Sequence, residues 1–152
     1  MKSVISTLLV NRKSLLTQLE GLTEEQLYTI PKGFNNNILW NFGHIIVSQQ
    51  LLTYAIAGVP MHVPATLVDS FRKATSPANW SNPFNLEDLK ALAISCIEQF
   101  DKDLDANLFN NYKPYLTSSG LTLHNIDDAI FYSQMHEGYH SGVIASLKNL
   151  VK

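Results

Sequence analysis

Apolar residues recur every three or four positions along most of this chain. Val4, Ile5, Leu8, Leu9, Leu15, Leu16 and Leu19 form the first such stripe, with polar Asn11, Lys13 and Gln18 between them. That spacing is one face of an amphipathic helix, and Gly21 is a natural C-cap for it. Thr23-Glu24-Glu25-Gln26 reads as a capping box opening one short turn, which Pro31 and Gly33 stop. Asn35, Asn36 and Asn37 offer caps for a second helix from about Ile38 to Ala57, through Trp40, His44, Val47, Leu51 and Ala55. Gly58 and Pro60 end it. From Val59 to Phe84 the chain holds most of its prolines and no sustained period. A connection of that length is functional or crosses the molecule, so the second and third helices need not be antiparallel. Asn85 caps the third helix, with Glu87 and Asp88 where the helix dipole favours acids. Leu86, Leu89, Ala93, Ile97, Phe100, Leu104 and Leu108 line its apolar face. Asn110 to Gly120 reads as a second loop. Thr122 or Asn125 caps the last helix, which runs to the C-terminus. No strand alternation is visible. The pattern predicts an all-α fold, a four-helix bundle spanning residues 1–152 as one domain.

Composition narrows the function without naming it. A net charge of −2, from 11 basic and 13 acidic residues, carries no basic footprint for nucleic acid. The single cysteine, Cys96, excludes an internal disulfide framework and fits a reducing compartment. No apolar run approaches the roughly 18 residues of a membrane span, and Asn11, Arg12 and Lys13 follow too soon after the first apolar residues for a signal-peptide core. A cytoplasmic protein with a small-molecule partner is expected.

The candidate chemistry lies in the histidines. His136 and His140 are four residues apart, so on a helix they sit one above the other and can converge on one divalent metal. Ala129, Ser133, Val143, Ile144 and Leu147 lie on or beside the same stripe, which points the pair into the core. His44 shares a face of the second helix with Trp40, Asn41, Val47, Ser48 and Leu51. Bundle metal sites are built from side chains on facing helices, and three imidazoles leave a coordination position open. The alternative is three unrelated histidines bonded within a polar core layer. His62 and His124 read as ordinary loop and helix-start residues.

His136-Glu137-Gly138-Tyr139-His140 also matches the zinc-protease pattern H-E-x-x-H, in which the glutamate activates water. Only Ser141 to Lys152 follow, with no His, Asp or Glu to complete that site, so Glu137 is read as solvated or as supporting the site from behind. Asn41, one turn from His44, could orient a ligand. Tyr132 could offer a hydroxyl, and Trp40, Trp80 and His62 could line the mouth, although core packing explains the aromatics as well. Cys96, beside the apolar stripe of the third helix, is not an obvious nucleophile.

Asn37-Ile38-Leu39-Trp40-Asn41-Phe42-Gly43-His44-Ile45 and His136-x-x-x-His140-x-Gly142-x-Ile144, with Leu19 to Leu27 and Pro31 before them, resemble the DinB-like (DinB/YfiT) superfamily of four-helix-bundle metalloenzymes. The resemblance covers nearly the whole chain. It implies an up-down-down-up bundle, frequent homodimers, and metal ligands at His44, His136 and His140. It further implies thiol-dependent transfer or isomerisation with a low-molecular-weight thiol such as bacillithiol or mycothiol. Where the family often has His-Arg-Gly-Gln, this chain has His140-Ser141-Gly142-Val143 and keeps only the glycine.

The reading that follows is a metal-dependent enzyme, a thiol transferase ahead of a hydrolase, using a divalent transition metal. Imidazole ligands suit zinc, nickel, copper and iron alike, with zinc or nickel preferred here. The alternative is a non-enzymatic, stress-related binding protein whose metal is structural or vestigial. Ordinary imidazole basicity predicts that metal is released as the pH falls towards and below about 6.

Overall fold

The computed structural model describes residues 2–152, with side chains from residue 4 onward. Helix α1 (Lys2–Leu19) buries Ile5, Leu8, Leu15 and Leu19, the stripe the spacing predicts. Arg12 falls on the same stripe and is 0% exposed. A short helix α2 (Glu24–Tyr28) opens on Thr23, whose hydroxyl accepts from the Gln26 amide while the Gln26 side chain bonds back to the Thr23 amide. Helix α3 (Ile38–Gln50) starts at Asn37, whose side chain accepts from the Trp40 amide at 2.7 Å. Every residue of α3 is buried, polar ones included. It is the central element of the molecule.

Two features of α3 depart from a plain helix. It continues as a π-helical turn at Leu51–Ala55 before Gly58, at φ 71°, takes the left-handed conformation that ends it. Gly43 is needed for a different reason. A Cβ there would stand 2.3 Å from the Phe71 ring, so the glycine lets helix α4 (Ala65–Phe71) press directly onto α3.

The connection expected to lack period holds α4 and a 3-10 turn at Pro77–Asn79. A helix of seven residues offers only the pair Leu67 and Phe71 on its buried face, too few repeats for a pattern to emerge. Helix α5 (Leu86–Asp105) is capped by Asn85, which accepts from the Glu87 amide at 2.8 Å. Within the second loop a small hairpin forms, where Tyr115 and Leu116 (β1) pair antiparallel with Leu123 and Thr122 (β2). Two residues per strand are too few to show alternation. Asn125, rather than Thr122, caps the last helix, α6 (Ile126–Leu150), by accepting from the Asp128 amide at 3.0 Å.

The fold is mostly helical. Helix α1 packs against α5 and α6, and α3 packs against α5, α6, α4 and α2. The apolar interior divides into two clusters. One gathers Leu15, Leu19, Trp40, Phe42, Phe71 and Ile144, and the other Ile5, Leu8, Tyr54, Ile97, Phe100 and Ile130. Along α1 and α6, Arg12 and Glu137 fall between residues of the two clusters. Among the described residues, no helix is long and apolar enough to cross a membrane.

Candidate metal centre

Helix α3 delivers His44, and α6 delivers His136 and His140. Each ring offers a nitrogen that lies within 4.8 Å of a nitrogen of the other two. The ring centroids of His44 stand 5.1 Å from His136 and 4.7 Å from His140, and the α6 pair is 4.5 Å apart. His44 and His140 are buried, and His136 is half-buried.

Two of the three rings are held by hydrogen bonds that settle which nitrogen carries the proton. The Phe71 carbonyl is an acceptor only, so His44 Nδ1–H donates to it, at 2.6 Å. Gly43 makes that contact possible by admitting Phe71. On the other side, Asn41 Nδ2 donates to the Asn37 carbonyl at 2.7 Å, which fixes the amide orientation. Asn41 Oδ1 then faces His140, whose Nδ1–H donates to it at 2.8 Å. In both rings Nε2 is left as the lone-pair nitrogen, the form in which imidazole binds a metal. Ser48 Oγ lies 3.2 Å from His44 Nε2 and can donate to it.

The electrostatics agree with that protonation. Burial, then the charge of His44 and of Arg12, holds His136 down at about 4. Burial, then its two neighbouring histidines, holds His140 at about 3. Burial also lowers His44, against the raising effect of its bond to Phe71. All three are therefore neutral near pH 7. A donor set of three neutral imidazoles, two of them oriented from behind, fits a divalent transition ion.

A cleft of about 140 Å³ reaches His44 and His136. Its walls are Ser48, Leu51 and Leu52 from the end of α3, Lys73 from the turn after α4, Tyr115, Thr117 and Ser118 from the hairpin, and Tyr132 from α6. Lys73 is the single charged wall residue, since the histidines are neutral. Larger grooves exist, including one of about 490 Å³ bounded by Thr66, Asp69, Ser70 and Trp80, but none of the histidines reaches it. Size alone does not mark the site.

The other sequence candidates separate cleanly. Trp40 stacks on His44, with centroids 4.5 Å apart and planes at 12°, and its indole donates to Thr75 Oγ1. Tyr132 stacks along His136 at 6.3 Å and lines the cleft. Trp80 lies elsewhere, packed against Phe71, Phe84 and Tyr28, because its indole is drawn to the Ser70 carbonyl. His62 stands edge-on to Tyr54 and bonds Asp103 at 3.1 Å, away from the three histidines. Glu137 is not solvated. It is 1% exposed, and its Oε1 takes a 2.5 Å ion pair from Arg12. Its carboxylate is thus turned from the imidazoles and is not placed to act as the base of an H-E-x-x-H protease. Cys96 is buried, and burial raises its thiol, as suits an inert side chain.

Arg12, Gly43 and Phe71 were missed by sequence reasoning. An arginine at an apolar stripe position was the available signal for the first. Phe71 acts through its backbone carbonyl, which no side-chain pattern can reveal.

Comparison with curated proteins gives no match to this chain. The DinB superfamily profile matches residues 7–144, a span that includes all three histidines. The chain belongs to the DinB superfamily.

Proposed function

We propose that this protein is a metal-dependent enzyme acting on a small molecule, with His44, His136 and His140 holding one divalent transition ion, zinc or nickel. The observation that carries the reading is the convergence of three neutral imidazoles beside a cleft, two of them anchored through Nδ1. A buried cluster of histidines has no advantage for packing, since burial opposes the charged form of each ring. When bound, such an ion supplies either an activated water or a thiol held as thiolate.

The chain's own residues would then divide the work. Phe71 and Asn41 keep His44 and His140 in the tautomer that presents Nε2. Leu51 and Leu52 give the cleft an apolar wall, while Ser48 and Tyr132 offer hydroxyls to a bound substrate. Lys73 supplies a positive charge for an anionic group. Thiol-dependent transfer of the bacillithiol or mycothiol type is placed ahead of hydrolysis, and the superfamily resemblance supports that order. The up-down-down-up helix order, a cytoplasmic location and a homodimer belong to the same proposal.

Elemental analysis of untagged protein tests it, with wild type beside His44→Ala and His136→Ala. About one equivalent of a transition metal in the wild type, lost from both variants, is the expected result. A wild type that takes up no ion even after reconstitution would defeat the reading. Metal without turnover in thiol-transfer and hydrolysis screens would favour a non-enzymatic binding protein with a structural ion.

A further inference from the structure

We propose that Arg12 is the positioning residue of the three-histidine centre, clasping α3 and α6 one residue beyond His44 and His136. This rests on the metal-site reading above. One nitrogen makes the clasp: Arg12 Nη2 donates to the Ile45 carbonyl at 3.3 Å and to Glu137 Oε1 at 2.5 Å. Nη1 reaches a third helix, donating to the Ala93 carbonyl of α5 at 3.4 Å. Ile45 follows His44 directly, and Glu137 follows His136 directly. Whatever holds those two neighbours together holds the two imidazoles at their separation.

Stability alone does not account for the arrangement. Arg12 is 0% exposed and Glu137 1%, so both charges are fully withdrawn from water. Arg12 Nε and Glu137 Oε2 are buried without a protein partner, which leaves the desolvation incompletely offset. Buried pairs of this kind are commonly replaced by apolar side chains with no loss of stability or a gain. What an apolar pair cannot supply is direction. A planar guanidinium bonding three helices at once admits one register, whereas leucine and methionine pack acceptably when a helix slides or rotates slightly. His136 has the greatest need of such support, because its half-buried ring lines the cleft beside Tyr132, without the Nδ1 anchor that Phe71 gives His44 and Asn41 gives His140.

The H-E-x-x-H pattern therefore has a different meaning in this chain. The glutamate acts through Arg12 on the helix that bears the ligands, and does not touch the reacting atoms.

The test separates folding from metal binding. Arg12→Met combined with Glu137→Leu replaces the pair by apolar side chains of similar size. Metal-free unfolding midpoints and zinc affinities by chelator competition are measured on the wild type and on this double variant. The cobalt-loaded absorption spectrum reports coordination geometry. The expected result is a metal-free midpoint at or above the wild type, with affinity lower by roughly tenfold or more and an altered cobalt spectrum. Arg12→Lys keeps the charge but cannot span the three helices, so the same loss is expected there, and it serves if the double variant does not fold. Wild-type affinity and spectrum in whichever of these variants folds would overturn the proposal while leaving the metal site intact. A wild type that binds neither zinc nor cobalt defeats the metal reading, and this proposal with it.

Discussion

Asn41 Oδ1 accepts a 2.8 Å hydrogen bond from His140 Nδ1, across the interface between α3 and α6. The asparagine is itself oriented from the start of its helix, since its amide nitrogen donates to Asn37, the N-cap of α3. A capping residue thus fixes, through one intermediate, the tautomer of a histidine on another helix.

Replacing Asn41 breaks that chain at its middle. Asn41→Ala leaves the His140 Nδ1–H without its partner, while the Asn37 carbonyl keeps the backbone amide of residue 41. The expected cost in folding stability is about 1–3 kcal/mol. Metal affinity should fall by roughly tenfold or more, because His140 can then present either nitrogen. Urea unfolding and chelator competition measure the two effects separately, and an unchanged affinity would show that the tautomer is set by something else.

Gly43→Ala tests the other anchor. The added methyl would meet the Phe71 ring at 2.3 Å, and Phe71 is fully buried against Trp80 and Phe84, with little room to retreat. Overpacking of this kind costs about 1–3 kcal/mol. As α4 is pushed outward, the Phe71 carbonyl withdraws from His44, so the ring loses its orientation as well. Destabilisation without any change in metal affinity would separate the two roles.

The pH response of the metal-free protein has a definite sign. His136 is held at about 4 and His140 at about 3, both below the ordinary histidine value near 6.5, chiefly by burial. Between those values the unfolded chain binds more protons than the folded one, so stability rises with pH. The contribution is complete above about pH 6.5 and is lost as the pH falls from there through about 4 for His136 and about 3 for His140. Urea midpoints at pH 8, 6 and 5 should therefore decline in that order. His140→Gln, which cannot be protonated, should flatten the decline, and a flat wild-type profile would contradict the depressed values.

The same depression sharpens the expectation that metal is released as the pH falls towards and below about 6. Protons compete poorly for rings held at about 4 and about 3, so release should come at the lower end of that range, below the pH set by ordinary imidazole. Metal content after dialysis across a pH series, with folding followed by circular dichroism, gives the midpoint.

The proposed homodimer has a candidate face. Phe131, Met135 and Tyr139 recur every four residues on the outer side of α6 and are 63%, 59% and 68% exposed. Phe131→Lys with Met135→Lys should turn a dimer into a monomer in light scattering after size exclusion, leaving the metal content unchanged. A wild type that is already monomeric would remove the homodimer from the proposal.

What the amino-acid order determined by itself were the features that repeat or that depend on neighbours along the chain. Helical period over eighteen or more residues located α1, α5 and α6, and Asn85 marked the start of α5. The cap candidates at 35–37 and at 122 or 125 bracketed the starts of α3 and α6, where the structure selects Asn37 and Asn125. The i, i+4 spacing of His136 and His140 put both rings on one face before any fold was known. Tertiary structure decided everything that depends on which helix faces which. It brought His44 to the α6 pair, turned Glu137 from solvent to Arg12, and sent Trp80 to a different groove. It also built the cleft from elements too short or irregular to leave a pattern, namely the π turn after α3, the turn after α4 and the two-residue strands of the hairpin. The physical reason is the range of the forces involved. Capping and helix amphipathicity are satisfied within one turn of chain, whereas a buried charge, a ring tautomer and a close backbone approach at glycine are satisfied only by atoms that folding delivers from elsewhere in the sequence.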